Sequence, residues 1–164
     1  MKTPGELNPC SIQVSLKLDT HHWSDLDIWL EGKHYDFSLT HIFGSPLKAI
    51  ADMLLLLEAG LAQVNMTLHE EPGQHEWQLT PNIQDSALID IRIATYGDNF
   101  ETRNPPDEVS TFTVHREFFI DSFLAELDKI ATLLKHPRFA RDRSPDEFPW
   151  DEWRKLRQSR ARSE

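Results

Sequence analysis

Histidine and carboxylate side chains gather on two short stretches of this chain, and both invite a metal reading. His69-Glu70-Glu71 and His75-Glu76 bracket the turn signal Pro72-Gly73. Imidazoles facing one another across a hairpin, with a carboxylate beside them, can hold a divalent ion. The spacing matches no recognised ligand motif, however, and a solvated polar turn explains the same residues. His21-His22, in a polar loop before Trp23, carries the same two readings. No metal site and no cofactor are therefore expected.

Nucleophilic and acid–base chemistry find less support. There is no Gly-x-Ser-x-Gly elbow, and the single cysteine, Cys10, precedes the first predicted strand in a segment expected to be mobile. The 6 glycines are dispersed singly at turns and helix ends, so no phosphate-cradling loop exists. Asp25, Asp27, Glu31 and Asp90 supply carboxylates, but acid–base catalysis needs two of them at a set separation in an apolar pocket. An acidic, solvated face is the simpler account. No catalytic residue is assigned.

A binding chemistry is better supported. If Leu26, Ile28 and Leu30 point inward on a strand, Asp25, Asp27, Trp29 and Glu31 point outward. A large aromatic among carboxylates suits an interface anchor that selects a basic partner. The alternative is that Trp29 is covered by another part of the chain, as most tryptophans are. Asp98, Phe100 and Glu101, in the loop Gly97–Glu108, repeat the acidic-plus-aromatic theme. Arg154, Lys155, Arg157, Arg160 and Arg162 beside Trp150 and Trp153 suggest nucleic acid at first sight. The intervening Asp146, Glu147, Asp151 and Glu152 argue instead for docking on the chain's own body or on a second copy.

These residues need elements to hold them. Ala62–His69, Glu76–Thr80 and Ala87–Thr95 each alternate apolar and polar residues and are separated by Pro-Gly, Pro-Asn and Gln-Asp turn signals. That pattern predicts adjacent antiparallel strands with one buried face, bearing Val64, Met66, Leu68, Trp77, Leu79, Ile89, Ile91 and Ile93. Ser11–Asp19, Asp25–Glu31 and the run through Tyr35, Phe37 and Leu39 predict an opening ribbon with a tight turn at Gly32-Lys33. Val109–His115 predicts a further strand.

Ser45-Pro46 reads as a helix start and Gly60 as its end, with Leu47, Ile50, Met53, Leu54, Leu57 and Leu61 at helical spacing. Leu55 and Leu56 widen that surface, so cover on more than one side is expected. A second helix fits Arg116–Lys135, its apolar face formed by Phe119, Phe123, Leu127, Ile130 and Leu134 and broadened by Phe118, Leu124 and Ala131. Asp151–Arg162 has the pattern of a short third helix, with Trp150, Trp153 and Leu156 along one edge.

The chain of 164 residues holds 17 Lys+Arg and 27 Asp+Glu, a net of −10. From Pro137 onward there are 8 basic and 6 acidic residues, leaving 9 and 21 in residues 1–136, so an acidic body carries a mildly basic tail. An acidic body repels nucleic acid and anionic membrane and attracts basic partners. Solubility alone would also account for it. One cysteine excludes an internal disulfide, the start lacks the apolar region of a signal peptide, and the apolar run Met53–Leu57 is too short to span a bilayer. A cytoplasmic protein is expected.

The ribbon with Asp25-Leu26-Asp27-Ile28-Trp29-Leu30, the leucine-rich helix at Pro46–Leu61, the Trp-bearing meander and the C-terminal Leu/Phe-rich helix together resemble a known group. The layout, over Ser11–Lys135, is similar to the small α+β immunity proteins of bacterial polymorphic toxin systems, including the WapI-type families. The Arg-rich stretch after Pro137 extends beyond that pattern. Such proteins neutralise a toxin by stoichiometric binding and do no catalysis. The resemblance implies that role here, with the acidic face matching a basic, nuclease-like toxin domain.

The expectation is therefore an α+β protein: residues 1–136 form one domain, an antiparallel meander sheet with two amphipathic helices on one face, followed by a charged tail at 137–164. It is expected to bind a basic protein partner, probed by Asp25, Asp27, Trp29, Glu31, Asp98, Phe100 and Glu101, without catalysis, nucleic acid or membrane. Two alternatives stay open: a homodimeric or larger adaptor whose tail docks on a neighbouring copy, and a metal-dependent enzyme using His69 and His75.

Overall fold

A computed structural model of the chain describes residues 9–97 and 105–163. Strands β1 (Ile12–Leu18), β2 (Trp23–Leu30) and β3 (Lys33–Thr40) form one antiparallel sheet in that order. After helix α1 (Pro46–Glu58), strands β4 (Val64–His69), β5 (Gln74–Pro81), β6 (Leu88–Tyr96) and β7 (Glu108–His115) form a second, again in chain order. Helix α2 (Arg116–Leu134), a short helix α3 (Pro137–Ala140), a single 3₁₀ turn at Pro145–Glu147 and helix α4 (Trp150–Ser163) complete the chain. The architecture is α+β, as the alternation predicts. The seven strands among the described residues fall into two ladders where a single meander was expected, with α1 intervening between β3 and β4.

Local chemistry accounts for the element ends. Glu31 and Gly32, at φ 47° and 80°, close the β2–β3 hairpin with the paired left-handed residues of a type I′ turn. Ser45 caps α1 by accepting from Lys48 N at 3.3 Å, with Pro46 in the first turn. At the other end Gly60, at φ 75°, lets its own N–H reach Leu57 O and the Leu61 N–H reach Leu56 O, the paired bonds of a Schellman stop.

One core joins both sheets to the helices. Leu16, Leu26 and Phe37 form a row across the first sheet, and Trp77, Ile91 and Ile93 lie on the inner face of the second. Phe119, Ile120, Phe123, Leu127, Ile130 and Leu134 of α2 are buried against them. Each such side chain contributes about 1.5–3 kcal/mol on leaving water. Phe118 is exposed, a correction to the apolar face read from the sequence. One residue from Phe119 it is rotated by about 100°, which carries it off the stripe, while Ile120 on the other side lies within the core.

The segment after Pro137 shares this core. Phe148 and Leu156 are buried in it, and Trp150 and Trp153 pack alongside. Arg160 binds Glu58 of α1 together with Glu117 and Asp121 of α2, and Arg157 reaches Asp128 at 3.2 Å. Two of the tail arginines, Arg157 and Arg160, thus meet acids of the chain's own body. No helix among the described residues is long and apolar enough to cross a membrane.

Candidate functional site

The outer face of the first sheet is open to solvent, since core and helices occupy only its inner side. Strand register sets three rows across it: Gln13, Trp29 and His34; Ser15, Asp27 and Asp36; Lys17, Asp25 and Ser38. Trp29 is 38% exposed and lies flat on the His34 ring, with centroids 4.8 Å apart and planes 9° from parallel. His34 Nε2 is 2.7 Å from Asp27 Oδ1. Asp27 and Asp36 stand opposite one another in a like-charged pair that the open face hydrates. Trp29 is therefore held by its neighbours without being covered.

Three of the four ribbon residues proposed from sequence, Asp25, Asp27 and Trp29, share this face. Glu31 sits in the hairpin turn and lies against the Cys10 thiol. Burial and then the Glu31 carboxylate push that thiol above its ordinary pKa. Cys10 is not in a loose segment either: its N–H donates to Thr113 O at 2.7 Å, tying it to β7. Asp98, Phe100 and Glu101 lie outside the described residues.

Beside this face is a feature the sequence did not announce. A cleft of about 790 Å³ runs along β3 and over one end of the second sheet, lined by His34, Asp36, Glu70, His75, Thr95 and Glu108 among others. The rows Leu68–His75–Thr95–Glu108 and Trp77–Ile93–Ser110 belong to the core face of that sheet, which turns polar at this end. His75 is 5% exposed; its Nδ1 lies 2.9 Å from Thr95 Oγ1, its Nε2 lies 3.1 Å from Glu70 Oε1, and Phe37 meets the ring edge-on. Burial pushes Glu70 upward, but its contact with His75 and the Ser38 N–H outweigh that and hold it below the ordinary carboxylate range.

The β4–β5 turn is exposed at Glu71 and Pro72, as the solvated reading expects, and it is also tethered. Its acids reach across to the other sheet: Glu70 accepts from Ser38 N at 3.0 Å, and Glu71 from Thr40 Oγ1 at 3.1 Å. His69 rests against the Phe43 ring, and burial lowers its pKa. Among the described residues no group of three or more His, Cys, Asp and Glu side chains is arranged to hold a metal ion.

A third constellation has the connectivity of a hydrolase triad. Ser24 Oγ is 2.7 Å from His41 Nε2, and His41 Nδ1 is 2.5 Å from Glu147 Oε2. The carboxylate can only accept, so Nδ1 donates to it, and in the neutral ring the Ser24 hydroxyl donates to Nε2. Ser24, however, is 0% exposed and belongs to the inward set of β2. A nucleophile must be reachable by its substrate, so the chain of bonds reads as a pin. His22 Nδ1 adds a second bond to Glu147 at 2.8 Å, and Ser45 Oγ donates to its carbonyl oxygen. His21 and His22 occupy left-handed backbone, φ 60° and 65°, a strained geometry that the Asp142 and Glu147 contacts help to hold.

No protein-family model, curated protein or solved structure matches the chain.

Proposed function

We propose that this chain acts by binding a basic protein partner, as the immunity protein that neutralises a cognate bacterial toxin in the cytoplasm. The observation that carries the reading is the Trp29–His34 stack on an open sheet face beside Asp25, Asp27 and Asp36. Aromatic anchors in an otherwise charged surface concentrate binding energy, while the acids steer a cationic partner and reject anionic ones. The stack and the His34–Asp27 contact hold Trp29 in place on the sheet, which lowers the side-chain ordering that binding would require. A non-catalytic role is further supported by the burial of Ser24 within the Ser24–His41–Glu147 chain of bonds.

The test is co-expression with a candidate toxin encoded beside the gene for this chain. Rescue of growth together with a one-to-one complex is the expected result; no rescue and no complex would reject the immunity role. A homo-oligomeric adaptor draws less support, since Arg157 and Arg160 find their acids within one chain.

A further inference from the structure

Sheet edges expose unpaired main-chain groups, and this fold satisfies some of its own. The Leu16 N–H on the β1 edge donates to Glu126 Oε2 of α2 at 2.7 Å, and the Ser38 N–H on the β3 edge donates to Glu70. On β7 the Thr113 carbonyl accepts from Cys10. Each of these contacts also reveals which residues of the strand face outward. In an antiparallel pair, residues alternate between those bonded to the partner strand and those aimed away from it. If Ser38 aims away from β2, so do Asp36 and His34. If Thr113 aims away from β6, so do Thr111 and Val109.

All four of these residues line the 790 Å³ cleft. Among the described residues, no hydrogen bond outside the strand ladders involves their N–H and C=O groups. The cleft therefore brings together two strand edges that no described residue pairs with here, a floor of Phe37, His75 and Thr95, and the carboxylates of Asp36, Glu70 and Glu108. Lys33 is the one lysine or arginine among the lining residues.

We propose that an extended, cationic segment of the protein partner lies in this cleft as an added strand, pairing its main chain with His34 and Asp36. Side chains alternate along a strand. One set of the incoming residues would stand beside Asp36, where Lys or Arg is favoured, with Glu70 and Glu108 within the same cleft. The other set would face Phe37 and the His75 floor, where small or β-branched residues fit. Main-chain pairing supplies affinity and the alternate pockets supply selectivity, the logic of strand addition. The inference rests on the binding reading above and names the segment that the acidic surface receives; His34 lies on this edge, and Trp29 stacks on it from the neighbouring strand β2.

The experiment is a titration of the isotope-labelled full chain, followed by amide NMR. The probe is a capped six-residue peptide of alternating Lys and Val; its control has the same sequence with alternate amides N-methylated. The expected result is shifts at His34, Asp36, Val109 and Thr111, slowed hydrogen exchange at His34 and Asp36, and at least tenfold weaker binding by the methylated peptide. Asp36→Lys, on an exposed position, should weaken the unmodified peptide by a similar factor. Equal binding of the two peptides, shifts confined to Lys17, Asp25 and Trp29, or no binding would each overturn the strand-addition proposal. Those results leave the immunity role to stand or fall on toxin rescue alone. Failed rescue with the peptide seated in the cleft would reject the immunity role and retain the cleft.

Discussion

The Trp29 indole and the His34 imidazole stack face to face across the β2–β3 pair, 4.8 Å between centroids, on the side of the sheet turned to solvent. Directly opposed residues whose side chains meet this closely suit the non-hydrogen-bonded pairs of an antiparallel ladder, where Cβ atoms are nearest. Neither ring contributes to the core. Trp29→Ala should accordingly change the urea midpoint little, by less than about 1 kcal/mol for an exposed cross-strand pair. Partner affinity should fall by 2 kcal/mol or more, about thirtyfold, if Trp29 is the anchor. Calorimetry on the complex would read this directly; unchanged affinity would place the anchor elsewhere.

Charge on the same surface should act on the rate of encounter. Reversing Asp25, Asp27 and Glu31 to Lys removes three negative charges near Trp29 and adds three positive ones. Association with a basic partner should slow by tenfold or more at low salt, and its dependence on ionic strength should flatten, while dissociation changes less. Stopped-flow measurements between about 20 and 200 mM salt bracket the relevant screening lengths. Identical kinetics would mean that the partner approaches another face.

Leu156 is fully buried beneath α4, although α4 belongs to a segment whose composition is that of a charged tail. Leu156→Ala should cost about 2–5 kcal/mol, the usual range for a truncated core leucine. Chemical denaturation would show it as a lowered midpoint at constant slope. An effect below 1 kcal/mol would mean that α4 docks only loosely.

That leucine also shows where the sequence was readable and where it was not. Period-two alternation from Ile12 onward, and Ser45, Pro46 and Gly60 at the ends of α1, follow from short-range sterics and hydrogen bonding, so they can be read locally. The position of Trp29 on an outward face follows from the same alternation. The surroundings of His75 and Glu147 could not be read in that way. His75 lies on the buried parity of β5, aligned with Trp77 and Leu79, and that parity was the available signal for its burial. Its partners Glu70 and Phe37, like the Ser24 and His41 partners of Glu147, come from distant segments. The cleft is likewise a product of how two sheets are set together, which no single strand encodes.

Glu147 links the C-terminal segment to the first sheet through His41 and His22, and the link should depend on acid. Burial pushes the Glu147 pKa upward, but the hydrogen bonds from His41 and His22 outweigh it and leave the carboxyl below its ordinary value. A carboxyl depressed in the folded state binds its proton less readily there than in the unfolded chain. Its contribution is therefore complete above the ordinary glutamate value, about pH 4.3, and is lost as pH falls through the folded-state value. Glu147→Gln should thus be less stable than the native chain near pH 7, by about 1–2 kcal/mol for a partly exposed charged acceptor. The gap should close as pH falls below the ordinary glutamate value, as the native carboxyl takes up its proton and the two chains become alike in charge. Urea midpoints for both chains at pH 7, 4 and 3 test this; a gap that stays constant through that range would show that the carboxylate charge is not what holds the segment.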